Sequence, residues 1–204
     1  MKRGKYQLKK RAEREQETRL RIVRAAVELH ETVGPALTTR SAIAERAGVS
    51  RPTVYSHFPD ELSLGKACSA LDLSENPFPD PGSWEEIADP ERRLREALTE
   101  LYAYFRRREK LLANILRDQE MPHFKDDPDV REIMRPIIEH WERMHKALAV
   151  GWKTHNGQSE PLLFGAIGLA LDFQSWRTIV RKQGITDEQA VELMVRIVLC
   201  VTRG

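Results

Sequence analysis

Apolar residues recur at helical spacing along almost the whole chain, and the points where that spacing fails mark its segments. Residues 9–33 contain neither Gly nor Pro and are laced by opposite charges four apart: Lys9/Glu13, Arg11/Glu15, Glu15/Arg19, Glu17/Arg21 and Arg24/Glu28. This predicts one long helix. Its apolar stripe, Ile22, Ala25, Ala26, Leu29 and Val33, occupies only the second half, so the first half is expected to project into solvent or toward a charged partner. Residues 1–8 ahead of it read as a mobile basic arm, and Gly34 with Pro35 stops the helix.

Two short helices follow. Ile43, Ala44 and Ala47 share one stripe over residues 41–47, with Thr38 or Thr39 as N-cap, and Gly48 ends that helix because glycine takes a left-handed backbone without steric cost. Ser50 caps a second helix with Arg51 and Pro52 in its first turn, where a missing N–H does no harm, and Val54 and Phe58 face inward. Two helices around a glycine turn make a helix-turn-helix. Asp60 can cap a further helix over 61–73, buried through Leu62, Leu64, Ala67 and Leu71.

Residues 76–90 are rich in proline and read as the loop at a domain boundary. Helical patterns resume over 91–108, with Leu94, Leu98, Leu101 and Phe105 inward, and over 111–118 with Leu112, Ile115 and Leu116. Residues 121–128 break the pattern; Ile133, Ile137, Trp141, Met144 and Leu148 then align over 129–154, which Asn156 and Gly157 close. The stretch 161–183 differs in kind. Leu162, Leu163, Phe164, Ala166, Ile167, Leu169, Ala170, Leu171 and Phe173 surround its axis, so it is expected to be buried on more than one side. Ala190, Leu193, Met194, Ile197 and Val201 form the stripe of a last helix. With no strand pattern and no repeat, the fold class is all-α.

A chain of 204 residues with 41% hydrophobic content can bury a sizeable core. The net charge of +2 conceals an asymmetry: residues 1–62 hold 13 Lys/Arg against 8 Asp/Glu, and residues 63–204 hold 20 against 23. The basic end is the one with the helix-turn-helix, as docking to DNA by one end requires. Cys68 and Cys200 lie far apart without ligand spacing, no leader pattern is visible, and the longest apolar run falls short of the roughly 18 residues of a membrane span. A cytoplasmic protein without membrane contact is expected.

Chemistry of other kinds has little to stand on. His140 and His145 are five apart, about 140° around a helix, which is poor metal-ligand geometry. No nucleophile elbow, phosphate loop or dinucleotide glycine motif occurs, so no catalytic residue, metal or cofactor is expected. Gly165 and Gly168 read as close helix packing, and Asp118 and Asp172 could line a pocket as polar anchors, although a carboxylate facing solvent or satisfied by backbone N–H groups is the better reading of each.

On the second short helix the exposed residues are Arg51, Pro52, Thr53, Tyr55, Ser56 and His57, groups that suit phosphates and base edges, with no carboxylate among them. The run IAERAGVSRPTVYSHF at 43–58, preceded by Thr39 and followed by Leu62 and Leu64, resembles the signature T-x-x-x-I-A-x-x-A-G-V-S-x-x-T-x-Y-x-H-F of the tetracycline-repressor-like (TetR) transcriptional regulators. The resemblance covers residues 17–71 and implies a three-helix DNA-binding domain over 17–75, behind a basic extension at 1–16. A larger helical domain for effector binding and dimerisation is implied over 76–204. It further implies that helix 50–57 enters the major groove, that Thr39 and Tyr55 touch phosphates, and that Arg51, Pro52 and Ser56 lie near bases. Arg40, Ser50, Thr53 and His57 complete the expected contact set.

By the same resemblance the protein is a homodimeric repressor on a palindromic double-stranded operator, released by a small molecule. Tyr104, Phe105, Leu112, Met121, Phe124, Met134, Trp141, Phe164 and Trp176 are candidate lining for an apolar or aromatic effector, although helical cores use the same residues. One position departs from the family pattern. Glu61 stands where such proteins usually carry a lysine; it suits the positive end of a helix but would repel a phosphate. The competing class is a helical interaction or scaffold protein that binds no specific DNA sequence.

Overall fold

The computed structural model describes residues 2–153 and 159–203, and among these the chain is helical without a strand. In chain order the helices are α1 (Lys2–Thr32), α2 (Arg40–Ala47), α3 (Arg51–His57), α4 (Glu61–Glu75), α5 (Pro81–Glu85) and α6 (Pro90–Gln119). They continue with α7 (Pro122–Lys125), α8 (Pro128–Ala149), α9 (Ser159–Leu171), α10 (Phe173–Arg177) and α11 (Asp187–Arg203). A 3-10 turn lies at Pro35–Leu37 and a π-helical turn at Thr178–Lys182. Two compact units result, one from Met1–Pro77 with Lys110–Met134, the other from Phe78–Glu109 with Arg135–Gly204.

The first unit closes on Ile22, Val23, Ala26 and Leu29 of α1, Ile43, Ala44 and Ala47 of α2, Val54 and Phe58 at α3, and Leu64 and Cys68 of α4. Each short helix begins on a side-chain cap: Thr39 accepts from Ala42 N–H, Ser50 from Thr53 N–H and Asp60 from Ser63 N–H. Gly48, at φ 65°, provides the left-handed residue that turns α2 into α3. Helix α1 starts at Lys2, so the arm expected at 1–8 is instead part of the helix from its second residue; no proline stands there to stop it.

The last turns of α6 belong to this unit and seal the α1–α2 corner. Asn114 Nδ2 donates to the carbonyls of His30 (3.1 Å) and Glu31 (2.9 Å), and Arg117 Nη2 to that of Val33 (2.6 Å), which satisfies the open end of α1. Asp118, fully buried, accepts from Ala36 N–H at 2.8 Å and from Arg117 Nε at 2.9 Å. Gly34 between them has φ 96°, and a Cβ on it would run into Arg117 Nη2 and Asp118 Oδ2. Burial pushes the His30 imidazole down to about 4, against a smaller opposing pull from Asp118.

In the second unit Leu94, Leu98, Leu101, Tyr102 and Phe105 of α6 pack with Met144, Leu148, Ile167, Ala170, Trp176, Val195 and Val198 in the core. The polar ends of its aromatics are paired: Tyr102 donates to Ala170 O (3.0 Å), Trp84 Nε1 to Glu100 (3.0 Å) and Trp176 Nε1 to Asp187 (3.0 Å). The stretch expected as one helix over 161–183 breaks at Asp172, whose extended backbone and 2.6 Å bond from Ser175 N–H start α10 afresh. Within one chain only one side of it is covered, so burial on more than one side would need a second copy. Leu163, Ala166, Ile167 and Ala170 of α9 are inside, whereas Leu162, Phe164 and Leu169 are 64%, 55% and 46% exposed. Residues 91–118 form one continuous helix rather than two, since nothing between 108 and 111 breaks it. The expected closing turn at Asn156 and Gly157 lies outside the described residues.

Candidate nucleic-acid interface

Helix α3 offers an open polar edge held from behind. Arg51, Pro52, Tyr55 and Ser56 are exposed, as are Ser50 and Thr39, while Thr53 and His57 are half-buried. Ser50 and Thr53 share a hydroxyl bond of 2.8 Å, and the Ser56 hydroxyl donates to Thr53 O at 3.3 Å. The Arg51 guanidinium lies 5.7 Å from the Tyr55 ring centroid and its Nη2 is 3.4 Å from the phenol oxygen. Neither Asp nor Glu occurs on α3, and Arg51 is its one Lys or Arg.

Arg40 differs from the role expected of it. It is 7% exposed, with Nη1 donating to Phe58 O at 2.5 Å and Nε to Glu61 at 2.9 Å, and its guanidinium lies 5.1 Å from the Tyr55 ring centroid. Buried and tied to these two acceptors, Arg40 orders the ends of α3 and α4 rather than reaching outward. Arg19 does similar work from α1, donating to His57 O at 2.9 Å with its guanidinium 4.0 Å over the Phe58 ring. The sequence pattern paired Arg19 with Glu15 and did not reveal these partners, which are distant in the chain. Asp60 keeps its carboxyl below the usual range through the Ser63 N–H bond, so its charge is tied to the start of α4.

The candidate effector residues fall in both units. Tyr104, Phe105, Trp141 and Trp176 belong to the second: Phe105 stacks on Trp141 at 5.9 Å and meets Trp176 at 5.6 Å, and Phe78 bridges Tyr104 at 5.1 Å and Trp141 at 6.2 Å. Of these, Tyr104, Phe105 and Trp176 are buried while Trp141 and Phe78 are half-exposed. Phe164 stands apart, on the open side of α9, stacked on His145 at 3.7 Å. Leu112, Met121, Phe124 and Met134 are half-buried members of the first unit.

Asp118 and Asp172 both accept backbone N–H bonds, one of the roles that the sequence left open for them. His140 contacts Pro79 O at 3.0 Å and His145 contacts Phe164 O at 2.9 Å, and among the described residues no group of His, Cys, Asp or Glu gathers to hold a metal. No described helix is long and apolar enough to cross a membrane.

Residues 22–64 match the family model for bacterial regulatory proteins of the tetR family. Among solved structures, the chain resembles NalD of Pseudomonas aeruginosa, described as the secondary repressor of the MexAB-OprM multidrug efflux pump, at 22% identity and TM-score 0.63 over 93% of this chain and 97% of that one. A TetR-like transcriptional regulator from Rhodococcus sp. RHA1 matches at 18% identity and TM-score 0.64, covering 92% and 96%. A tetR-family regulator from Streptomyces coelicolor matches at 20% identity and TM-score 0.58, covering 91% and 79%. Comparison with curated proteins finds no match.

Proposed function

Taking the helix-turn-helix at 22–64 as that of a tetR-family regulator, we propose that this protein is a cytoplasmic, ligand-responsive repressor that binds a palindromic operator as a homodimer. The observation that carries the reading is the outer edge of α3, where Arg51, Pro52, Tyr55 and Ser56 stand free of carboxylates while Arg40 and Arg19 fix the helix from behind. Such an edge can place Arg51 against a guanine, leave Ser56 and Pro52 at neighbouring base edges, and set the Tyr55 and Thr39 hydroxyls on phosphates. Ser50, Thr53 and His57 flank it.

Dimerisation is supported by the uncovered side of α9, where Leu162, Gly165 and Leu169 lie on one line and a Cβ at Gly165 meets nothing within 4 Å. Leu193 of α11 is exposed as well, and α9 packs on α11. A two-fold copy would bury both helices and pair two copies of α3 on half-sites about 34–36 Å apart or a multiple of that. For the effector, the half-exposed rings of Phe78 and Trp141 beside Tyr104 and Phe105 favour an apolar or aromatic molecule. Phe164 is left out of that set, because it stands apart from those rings, 55% exposed and stacked on His145.

Selection of bound duplexes from random-sequence DNA, followed by fluorescence anisotropy on the selected site, tests the reading. A palindromic site bound by two chains is expected. A scaffold protein would instead enrich no sequence and bind all duplexes alike.

A further inference from the structure

Helix α1 is longer than its packing requires. It runs unbroken from Lys2 to Thr32, yet the first fully buried of its described side chains is Ile22, and residues 6–17 are all exposed. Residues 2–18 therefore extend roughly 25 Å beyond the packed part at 1.5 Å per residue. Burial does not account for this extension, since Tyr6 and Leu8 are open to solvent and no apolar stripe forms on it.

Its charge is not spread evenly. Residues 2–11 hold six Lys/Arg and no Asp/Glu, whereas residues 12–21 hold three of each sign. A balanced stem thus carries a tip of like charges that repel one another when alone. Among the described side chains of the tip, Lys9 has an ion pair, with Glu13 at 3.8 Å on the open surface, which in water is worth little. A tip of this kind calls for a polyanion.

The stem is rooted beside the recognition helix. Arg19, where the extension meets the packed part of α1, donates to His57 O at the end of α3 and covers the Phe58 ring. The extension is therefore continuous with the edge proposed above to enter the major groove. Duplex DNA carries one charge per ~1.7 Å of axis, or one per ~3.4 Å along each strand, and the six cations of residues 2–11 come one per roughly 2.5 Å of helix, between the two. A membrane surface would also attract cations, but a helix lying on lipid needs an apolar face, and residues 2–17 have none.

We propose that the α1 extension lies along the DNA backbone outside each half-site, with Lys9, Lys10 and Arg11 neutralising flanking phosphates without reading sequence. The inference rests on the DNA-binding reading above and adds an electrostatic contact that residues 50–57 do not supply.

The test compares the full-length protein with Lys9→Gln/Lys10→Gln/Arg11→Gln and with a chain lacking residues 2–11, by salt titration on one selected operator. Two duplexes are used, one with about ten base pairs of flank on each side and one trimmed to the half-sites. If all three cations touch phosphates, the triple variant's log–log salt slope is shallower by about 2.7 per subunit. A fourfold rise in salt then weakens the parent about 40-fold more than the variant, per subunit. Base preference and Tm are expected to stay as in the parent, and trimming the flanks removes the difference.

Parental slope and affinity in both variants on the long duplex, with Arg51→Ala still losing the operator, would overturn this inference alone. A parent that binds no duplex would bring down the DNA-binding reading itself. Binding to vesicles of mixed neutral and anionic lipid that the triple variant loses, with its DNA slope unchanged, would assign the tip to a membrane and overturn the inference as well.

Discussion

Arg40 and Glu61 form a 2.9 Å ion pair whose two ends sit in different surroundings, the arginine side chain 7% exposed and the glutamate 72%. The pair joins the first residue of α2 to the first of α4, and Arg40 reaches from there to the carbonyl that ends α3. Glu61 thereby gains a role that its place at a helix N-terminus does not reveal. It supplies the countercharge of a buried guanidinium.

That role divides two substitutions. Glu61→Gln keeps an acceptor for Arg40 and removes a negative charge at the start of α4, so tighter operator binding at low salt is expected with Tm nearly unchanged. Glu61→Lys also favours the phosphate, but it sets a second cation against Arg40. A cost of about 1–2 kcal/mol is expected, or roughly 2–8 °C in Tm for a chain of this size. Thermal melts and anisotropy on both variants check this, and a Lys variant as stable as the parent would mean that Arg40 does not depend on its partner.

Arg51 and Tyr55 meet in the free protein, with Nη2 3.4 Å from the phenol oxygen, and are expected to separate on DNA. Arg51→Ala should lose about 1–3 kcal/mol on the selected operator and relax preference at one position per half-site. Tyr55→Phe should weaken all sequences alike, because its hydroxyl is assigned to a phosphate. A variant panel on duplexes altered at single positions distinguishes the two patterns; uniform weakening by Arg51→Ala would remove that residue from base readout.

Much of the domain around these residues was legible because its signals are local. Thr39, Ser50 and Asp60 cap the residue three ahead, and Gly48 takes the left-handed turn, all within one helical turn of sequence. The ties that hold the recognition helix were not legible, since Arg40 to Glu61 spans 21 residues and Arg19 to His57 spans 38. Asp118 to Ala36 spans 82, and no periodicity brings the end of α6 to the α1–α2 corner. The apolar girdle of α9 was visible, but a pattern apolar on all sides cannot distinguish burial within the chain from burial by a second copy. The break at Asp172 needed the cap geometry to be seen.

At the corner that Asp118 secures, His30 makes stability depend on pH. Burial lowers its folded-state pKa from 6.5 to about 4, so the fold favours the neutral imidazole and binds fewer protons than the unfolded chain in that range. The contribution is intact above about 6.5 and is lost as pH falls from there toward about 4, by about 3 kcal/mol at most. His30→Gln should flatten that part of the stability curve. Urea unfolding at pH 7 and pH 5 measures it; equal pH slopes in parent and variant would mean that His30 does not titrate in this window.

The proposed dimer makes its sharpest demand at Gly165. Gly168, three residues on, already has His145 Cε1 at 3.5 Å from where its Cβ would be, so enlarging it disturbs the protomer as well as any partner. Gly165 has nothing within 4 Å, and Leu162 and Leu169 on the same side leave an apolar strip open along α9. An arginine at 165 therefore fits an isolated chain but places a charge in the middle of a two-fold contact, where desolvation costs several kcal/mol unless the charge is paired. Gly165→Arg is expected to be folded and monomeric at micromolar concentration, to keep the parent's helical circular-dichroism signal, and to lose most of its affinity for the full palindrome while binding a single half-site weakly. Light scattering with anisotropy on full and half operators decides it. A variant that remains dimeric would move the interface away from this side of α9 and leave Leu162 and Leu169 without an assigned cover.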